Sequence, residues 1–344
     1  MYELLRPLLF RLDPELAHRL ALTGMRALGA VPPLCAALRA LLHVPAEPVV
    51  AFGLRFPNPI GLAAGWDKDG LGIDGLGALG FGHVEVGTVT PRAQPGNPRP
   101  RVFRLAEDLA LVNRMGFPSR GEDYLAARLA RRRPSELVVG VNLGKNKSTP
   151  NELAAEDYGR LLERFAPLAD YLVVNGSSPN TAGLRALQER SALEELLTAL
   201  VRRRGAHGVP LLVKLAPDLD DAALDRALEA TLAAGLDGVV ATNTTLSRAG
   251  LSAGGRTVRE PGGLSGAPLE ARATTMVEKI VRRAGPRLPV IAAGGVMSAV
   301  DAQRKLDAGA VLVQVWTGFV YSGPMFGRQL LRGLRMGPVS RPVA

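Results

Sequence analysis

Eight short apolar runs, which alternate with helical patterns, constrain the fold of this chain more than any other feature. Most of the runs are nearly continuous apolar segments, which are typical of strands buried on both faces of a parallel sheet. Segments with helical spacing lie between them, at residues 154–168, 191–203, 222–234 and 269–284. The runs span residues 60–64, 83–88, 137–143, 171–175, 211–215, 238–243, 290–294 and 311–316.

Eight β/α units in about 260 residues predict an α/β protein with a closed (β/α)8 TIM barrel. The alternative is a doubly wound open sheet. That alternative is weakened because no GxGxxG motif follows the first strand. A small hairpin over residues 49–56, with Gly53 near its turn, is expected just before the barrel.

Residues 1–45 have a different pattern and predict a separate helical extension, followed by a barrel domain over residues 46–344. Asp13 and Pro14 form a helix start signal, and two prolines then separate this helix from a second one over residues 34–43. No uncharged apolar run reaches 18 residues, so we expect neither a transmembrane helix nor a cleaved signal. The helical pair either packs as barrel support or lies in a membrane interface.

Composition argues against several classes of protein. A single cysteine, Cys35, cannot build a disulfide framework, a cysteine-rich zinc site or an iron–sulfur cluster within one chain. The four histidines are scattered without HExxH-like spacing, so we expect no metal. The formal charge of +10 favours anionic partners, but aromatic residues make up only 5% and no nucleic-acid motif is present, so we expect no nucleic-acid partner.

Polar residues collect at the carboxyl ends of the apolar runs, where barrel enzymes place their active sites. Asn142, Asn175 and Asn243 end three of these runs, and Thr88 ends another. The positions of the lysines support the same conclusion. Arginine outnumbers lysine six to one in this chain, yet four of the six lysines lie in segments at the ends of the runs. These four are Lys68, Lys145, Lys147 and Lys214. The sequence therefore predicts a polar site at this face of the barrel.

Glycine-rich segments follow the last two runs. Gly294 and Gly295 follow the seventh run, and Thr317 and Gly318 follow the eighth. Loops at these positions supply backbone N–H groups to the usual phosphate site of barrel enzymes. A third glycine-rich segment, residues 262–266, is expected to be a flexible loop.

Long motifs in the chain resemble those of the dihydroorotate dehydrogenases, and most closely the quinone-using class 2 enzymes. The motifs are GLAAGWDKDG at 61–70, GTVTP at 87–91, NRMGF at 113–117, SSPNT at 177–181 and ATNTTL at 241–246, and the resemblance extends from Asp13 to Phe319. It implies oxidation of (S)-dihydroorotate to orotate in de novo pyrimidine biosynthesis. It also implies FMN as hydride acceptor and a membrane quinone as final electron acceptor.

The resemblance implies a role for each matching position. Ser178 is the expected base, with Thr181 and Lys68 as catalytic partners. The implied substrate shell is Lys68, Asn113, Arg114, Met115, Gly116, Phe117, Asn175, Asn180, Asn243 and Thr244. The implied FMN contacts are Ala64, Gly65, Trp66, Asp67, Lys68, Thr88, Asn142, Asn175, Lys214, Thr242, Gly266, Gly295, Trp316 and Thr317. The implied quinone contacts are His18 and Arg104.

Chemistry agrees with these implied roles. Orotate is a planar anion rich in donors and acceptors, and an asparagine side chain offers both. Lys68 can neutralise the carboxylate, and Lys214 can stabilise negative charge on a flavin. Because a serine is a weak base alone, Ser178 needs a relay through Thr181 and a trapped water.

The resemblance also implies partners and a location. Class 1 enzymes use cysteine as the base, and one subclass recruits an iron–sulfur subunit, whereas this chain has serine at that position and no such subunit is expected. We expect the helical extension to bind a lipid surface, with the enzyme peripheral on the cytoplasmic side of the cell membrane. Departures from the family pattern are Gly176, Ala182, Pro118 with Ser119, and Trp316 in place of a frequent tyrosine.

Two alternatives remain open from the residues. One is a flavin barrel oxidoreductase that acts on another substrate, which the asparagine-rich shell argues against. The other is a basic nucleic-acid-binding protein, for which a steep salt dependence of binding would be the signature. The absorbance spectrum of the purified protein discriminates flavoprotein from nucleic-acid-binding protein.

Overall fold

The computed structural model describes residues 2–132, 135–181, 183–252 and 256–335. Its strands are β1 (Val49–Ala51), β2 (Leu54–Phe56), β3 (Ile60–Leu62), β4 (His83–Val89), β5 (Val102–Leu105), β6 (Ala110–Asn113), β7 (Val138–Leu143), β8 (Tyr171–Val174), β9 (Leu211–Leu215), β10 (Gly238–Ala241), β11 (Gly263–Gly266), β12 (Val290–Ala293) and β13 (Leu312–Val315).

The helices among these residues flank the strands and form the N-terminal extension. They are α1 (Tyr2–Arg11), α2 (Pro14–Gly29), α3 (Pro32–Leu42), α4 (Ile73–Ala78), α5 (Glu122–Leu129), α6 (Ala154–Phe165), α7 (Arg190–Arg204), α8 (Asp221–Ala234), α9 (Glu270–Ala284), α10 (Ala299–Asp307), α11 (Thr317–Ser322) and α12 (Phe326–Gly333). Short 3-10 turns lie at Asn151–Leu153, Leu184–Gln188, Gly205–His207, Arg256–Arg259, Ala267–Leu269 and Gly285–Arg287.

The predicted (β/α)8 barrel is confirmed. Within the described residues, eight parallel strands close in the order β3-β4-β7-β8-β9-β10-β12-β13, and each lies within or extends slightly beyond one of the eight predicted runs. The ring closes where β13 pairs with β3 in the register Val313 with Ile60. Every carboxyl end therefore points to the same mouth.

Alternate residues of each barrel strand face two different cores. On β8, Tyr171 and Val173 pack in the barrel interior, while Leu172 and Val174 pack against the surrounding helices. Because both faces of each strand are buried, the strands are continuous apolar runs in the sequence. The predicted hairpin is confirmed as β1 and β2, and its Phe56 packs against the ring of Tyr171 with centroids 6.5 Å apart.

A sheet outside the barrel was not predicted from the sequence. β5, β6 and β11 form an antiparallel sheet in the order β11-β6-β5. The expectation that residues 262–266 form a flexible loop was wrong, because Gly263–Gly266 pairs with β6 as a strand. Pairing with a distant strand, which local composition does not reveal, decides the state of this glycine-rich segment.

The N-terminal extension is helical as predicted, but it contains three helices and not two. Asp13 caps α2 by accepting a hydrogen bond from the Leu16 backbone N–H at 3.0 Å. The additional helix, α1, is tied to the barrel by the Tyr2 hydroxyl, which donates to the Val320 carbonyl at 2.6 Å. Among the described residues no helix alone is long and apolar enough to cross a membrane; α2 and α3 meet that criterion only together, and they are bent by 104°.

Candidate active site

A cavity of about 160 Å³ opens at the carboxyl ends of the barrel strands. Most of the residues predicted to bind substrate or cofactor line it, although they come from widely separated parts of the chain. Those that line it are Ala64, Gly65, Lys68, Thr88, Asn113, Met115, Gly116, Phe117, Asn175, Ser178, Asn180, Lys214, Thr242, Asn243, Thr244, Gly266, Gly295, Trp316 and Thr317.

Amides and hydroxyls at the strand ends form a connected hydrogen-bond network. The Asn175 amide nitrogen donates to Asn142 Oδ1 at 2.9 Å and to Thr88 Oγ1 at 3.1 Å. Its amide oxygen accepts from the Ser177 hydroxyl and from Asn243 Nδ2, each at 3.2 Å. Because every member has a partner on another strand end, the network holds these side chains in fixed orientations.

A buried carboxylate, Glu85, lies beneath this network and was missed by sequence reasoning. It accepts from Asn142 Nδ2 and from Gln314 Nε2, each at 2.7 Å, and both amides are fully buried. Because Asn142 donates to Glu85, its oxygen must face Thr88 and Asn175. The sequence did carry a signal for it, because Glu85 is a charged residue within the apolar run that forms β4.

Lys214 brings a positive charge to the floor of the cavity. Its side chain is only 6% exposed, and no hydrogen bond is formed by its ammonium among the described residues. Burial lowers its pKa from the usual value, and the nearby Glu85 carboxylate opposes this effect. A buried ammonium without a hydrogen-bond acceptor is suited to an anionic or electron-rich ligand.

Lys68 also lines the cavity, from the loop after β3. Its ammonium donates to the Gly65 carbonyl at 2.5 Å. Desolvation lowers the pKa of Lys68 to about 8, and the neighbouring Asp69 carboxylate limits the decrease. With a pKa of about 8, Lys68 is a cation at neutral pH and loses its charge at slightly higher pH.

Ser178 lines the cavity with 5% of its surface exposed. Its hydroxyl oxygen accepts from the Asn180 backbone N–H at 3.3 Å, and Asn180 in turn donates through Nδ2 to Asn113 Oδ1 at 3.1 Å. Thr181 is also buried, but within the described part of the chain no hydrogen bond joins its hydroxyl to Ser178. The structure thus brings Ser178 into contact with Asn180 of the predicted substrate shell, and Asn180 in turn contacts Asn113.

Some predicted contact residues lie outside the cavity lining. Asn142 lies one layer below, and Asp67 is buried behind the β3 loop, where it accepts from the backbone N–H groups of Leu71 and Gly72. Arg114 pairs with Glu260 at 2.6 Å. Trp66 and Thr181 are absent from the lining as well. Ala182 lies outside the described residues.

The two glycine loops predicted to hold a phosphate meet at one side of the cavity. Gly294 and Gly295 both have positive φ, at 113° and 75°, which L side chains rarely adopt. Within the described residues, no hydrogen bond satisfies the backbone N–H groups of Gly295 and Val296. Thr317 from the last loop donates to the Ser265 hydroxyl at 2.9 Å. The backbone N–H groups of Gly295 and Val296 are therefore available to an anion.

A second, mainly apolar cavity of about 410 Å³ lies between the N-terminal helices and the barrel. Both residues predicted to contact quinone line it. His18 lies between two indole rings, 5.1 Å from Trp66 and 6.3 Å from Trp316. Burial lowers the pKa of His18 to about 3, so it is neutral. Arg104 donates to the Phe10 carbonyl at 3.2 Å and so ties α1 to β5, and it also donates to the Leu12 carbonyl at 2.7 Å.

The two cavities share part of their lining. Lys68, Val102, Leu111, Met115 and Trp316 border both of them. Trp316 therefore forms part of the partition between the two cavities. Among the described residues, no group of three or more His, Cys, Asp or Glu side chains could hold a metal ion.

Comparison with known proteins identifies the family. The family model described as dihydroorotate dehydrogenase matches residues 48–336. The chain belongs to the dihydroorotate dehydrogenase family. It is 54% identical to the dihydroorotate dehydrogenase (quinone) of Anaeromyxobacter dehalogenans strain 2CP-C, over 97% of this chain and 92% of the relative.

Other dihydroorotate dehydrogenases agree in sequence and in structure. A dihydroorotate dehydrogenase (quinone) of Mycobacterium bovis strain BCG Pasteur 1173P2 is 49% identical over 97% of this chain and 93% of its own length. The crystal structure of ligand-free DHODH from Eimeria tenella superimposes with a TM-score of 0.83 at 38% identity, covering 93% of this chain and 94% of that chain. The structure of the same enzyme with ferulenol gives a TM-score of 0.81.

Proposed function

We propose that this member of the dihydroorotate dehydrogenase family oxidises dihydroorotate to orotate in the barrel cavity, with FMN as its cofactor and a membrane quinone as the final acceptor. The observation that carries the proposal is the pair of adjacent cavities, one polar and one apolar, that share Trp316 and Lys68. A polar substrate and an apolar acceptor need separate sites that both reach the cofactor.

Several residues of the polar cavity fit FMN. Gln314 lines the cavity, and its Oε1 is buried without a hydrogen-bond partner within the described chain, so it can accept from a ring N–H. Lys214 would lie against the electron-rich edge of the flavin. The backbone N–H groups of Gly295 and Val296 would hold the phosphate. When bound, FMN accepts the hydride that leaves C6 of dihydroorotate.

The remaining lining can bind and orient the substrate. Asn113, Asn175, Asn180 and Asn243 carry amides at different sides of the cavity and can pair with the edges of a pyrimidine ring. Lys68 can pair with the substrate carboxylate. The Asn175 and Asn243 amides are already fixed by hydrogen bonds, so binding loses little side-chain entropy there.

Ser178 is proposed to take the proton from C5 of dihydroorotate. Its oxygen accepts from the Asn180 backbone N–H, and Ser178 forms no other side-chain hydrogen bond with the described part of the chain, which leaves the hydroxyl hydrogen available for a relay. A water held near Thr181 would carry the proton onward, because the two hydroxyls are not in direct contact. The low exposure of Ser178 keeps bulk water from the reacting carbon.

Residues 1–45 are proposed to form the quinone and lipid side of the enzyme. Large apolar side chains are exposed on all three helices, including Leu4 at 81%, Leu20 at 53% and Leu41 at 70%. Such side chains favour the acyl boundary of a bilayer. The enzyme would therefore lie peripherally on the cell membrane, with the apolar cavity open to quinone, and we propose the cytoplasmic face as its location.

The absorbance spectrum and two half-reactions test the proposal. The purified protein should be yellow and should release one FMN per chain on denaturation. Anaerobic dihydroorotate should bleach the flavin with formation of one orotate, and a quinone should restore the colour. A colourless but folded and active protein would exclude FMN, and bleaching only by another substrate would favour a different flavin barrel oxidoreductase.

A further inference from the structure

A buried arginine, Arg101, joins the N-terminal extension to the mouth of the barrel. It is only 4% exposed, and its guanidinium donates to both carboxylate oxygens of Glu15 at 2.9–3.2 Å. Glu15 is in the first turn of α2. Because a buried guanidinium needs a charged partner, this contact determines the position of the arginine.

The other end of the same guanidinium holds the loop that precedes β5. Arg101 Nη1 donates to the Pro95 carbonyl at 2.6 Å and to the Asn97 carbonyl at 2.9 Å. At Gly96 the loop packs closely on the segment that follows β6, since an added Cβ would lie 2.4 Å from the Met115 carbonyl oxygen. The loop conformation therefore depends on where the guanidinium is held.

This loop in turn holds the proposed substrate shell. Asn97 Nδ2 donates to the carbonyls of Arg114 and Asn180, each at 3.0 Å, and its backbone N–H donates to the Met115 carbonyl at 2.9 Å. Asn180 is the residue whose backbone N–H contacts the Ser178 hydroxyl. A continuous series of hydrogen bonds thus runs from α2 through Arg101 and Asn97 to the base.

We infer that Glu15, which belongs to the N-terminal extension, is a positioning residue for substrate binding in the barrel. The inference rests on the proposed function, because it takes the cavity around Asn180 as the orotate site. The charge of Glu15 holds Arg101, and Arg101 holds the loop that supports the shell. The extension then contributes to the dihydroorotate half-reaction as well as to the quinone side. Removal of residues 1–45 would also remove Glu15, so single substitutions test the two roles separately.

The test compares Glu15→Gln with Arg99→Gln in the full-length flavin-loaded enzyme. Arg99 also pairs with Glu15, at 3.1 Å, but its side chain is 59% exposed, so it is a matched control for loss of a surface ion pair. Orotate affinity is read without turnover from the change in flavin absorbance. We expect Glu15→Gln to raise the Kd of orotate about three- to thirtyfold, and Arg99→Gln to change it less than about twofold.

Two further readouts separate positioning from general destabilisation. The KM for dihydroorotate should rise in Glu15→Gln while the flavin content stays near the wild-type value. Hydrogen exchange over residues 94–101 and 113–117 should become faster in Glu15→Gln but not in Arg99→Gln. If Glu15→Gln lost flavin, Glu15→Asp would be used in its place. The hydrogen-exchange rate of Glu15→Asp over residues 94–101 should lie between the rates of the wild type and of Glu15→Gln.

The outcomes also separate this inference from the proposed function. If the wild-type enzyme does not bind orotate, the proposed function fails. If it binds orotate but Glu15→Gln has the wild-type Kd and unchanged exchange over residues 94–101, only the inference fails. An equal effect of Glu15→Gln and Arg99→Gln would likewise overturn it, because the buried pair would then have no special role.

Discussion

At the scale of single residues, the site combines side chains whose chemistry depends on their surroundings. Ser178 is a weak base alone, and burial lowers the pKa of both Lys68 and Lys214. Glu85 compensates Lys214 from below and orients Asn142. Two predictions concern the residues that touch the substrate in this scheme.

Ser178→Ala should block bleaching of the flavin by dihydroorotate while FMN stays bound. Loss of a general base typically costs about 10²–10⁴-fold in rate, and anaerobic stopped-flow absorbance measures it. Ser178→Cys should keep part of the rate with a lower pH optimum, since a thiol is more acidic. Ser252→Ala, an exposed hydroxyl outside the cavity lining, is the control. A decrease of less than about tenfold in Ser178→Ala would assign the base elsewhere.

Orotate affinity should fall as the pH rises through the pKa of Lys68. Burial lowers this pKa to about 8, so the ammonium that pairs with the orotate carboxylate is lost above that pH. The Kd of orotate should be constant below about pH 7 and rise by about tenfold per pH unit well above about pH 8, until the pKa of the complex is reached. In Lys68→Met the affinity should be low and should not show this step. A wild-type Kd that is constant to about pH 9.5 would contradict the assignment of the carboxylate to Lys68.

At the scale of elements, the carboxyl ends of the strands and the N-terminal helices perform different tasks. The strand ends hold polar groups in fixed orientations through contacts between neighbouring strands. α1 and α2 cover an apolar cavity and are held by polar links to the barrel, such as Arg104 with the Leu12 carbonyl. Their outer surfaces expose leucines, whose function can be tested without disturbing the strand ends.

Leu4→Gln combined with Leu8→Gln should weaken binding to liposomes by at least about tenfold, because a fully buried leucine contributes about 1.5–3 kcal/mol. The two side chains are 81% and 59% exposed and lie one helical turn apart on α1. Sedimentation with vesicles measures binding, and flavin reduction by dihydroorotate should be unchanged. Leu153→Gln, 45% exposed beside the barrel, is the matched control. Equal loss in both proteins, or no loss in the α1 variant, would exclude α1 as the lipid contact.

At the scale of the whole molecule, the barrel is one closed core, and loops from its first and last strands line the cavity at its mouth. Loops from β12 and β13, at the end of the described chain, meet the loop of β3 across the cavity. A ligand that contacts all of them binds only the folded state, so it links the first and last strands of the barrel.

FMN should therefore raise the melting temperature of flavin-stripped protein in a concentration-dependent way. Ligand at a hundredfold excess over its Kd adds about 2.7 kcal/mol to the free energy of unfolding. Riboflavin, which lacks the phosphate, should stabilise less, because it leaves the N–H groups of Gly295 and Val296 unpaired. Calorimetry on stripped protein with each ligand measures the difference. Equal stabilisation by both ligands would show that these loops do not hold the phosphate.

Local patterns determined the architecture and the approximate place of the site. Strand runs were recognisable because two-sided burial demands continuous apolar residues, and polar ends such as Asn142 and Asn175 followed directly from strand order. The family motifs assigned roles to the same segments. These patterns did not predict the direction in which an individual side chain points. Arg114 belongs to the NRMGF motif, yet its guanidinium pairs with Glu260 outside the cavity.

The tertiary structure alone decided the contacts between distant segments. Gly263–Gly266 becomes a strand only because β6 lies beside it, and Trp316 separates two cavities only because α2 packs over the barrel. Glu15 and Arg101 are 86 positions apart in the sequence, and no periodicity relates them. Periodicity reports which face of an element is buried, whereas the pairing of two charges depends on where the folded chain brings them together.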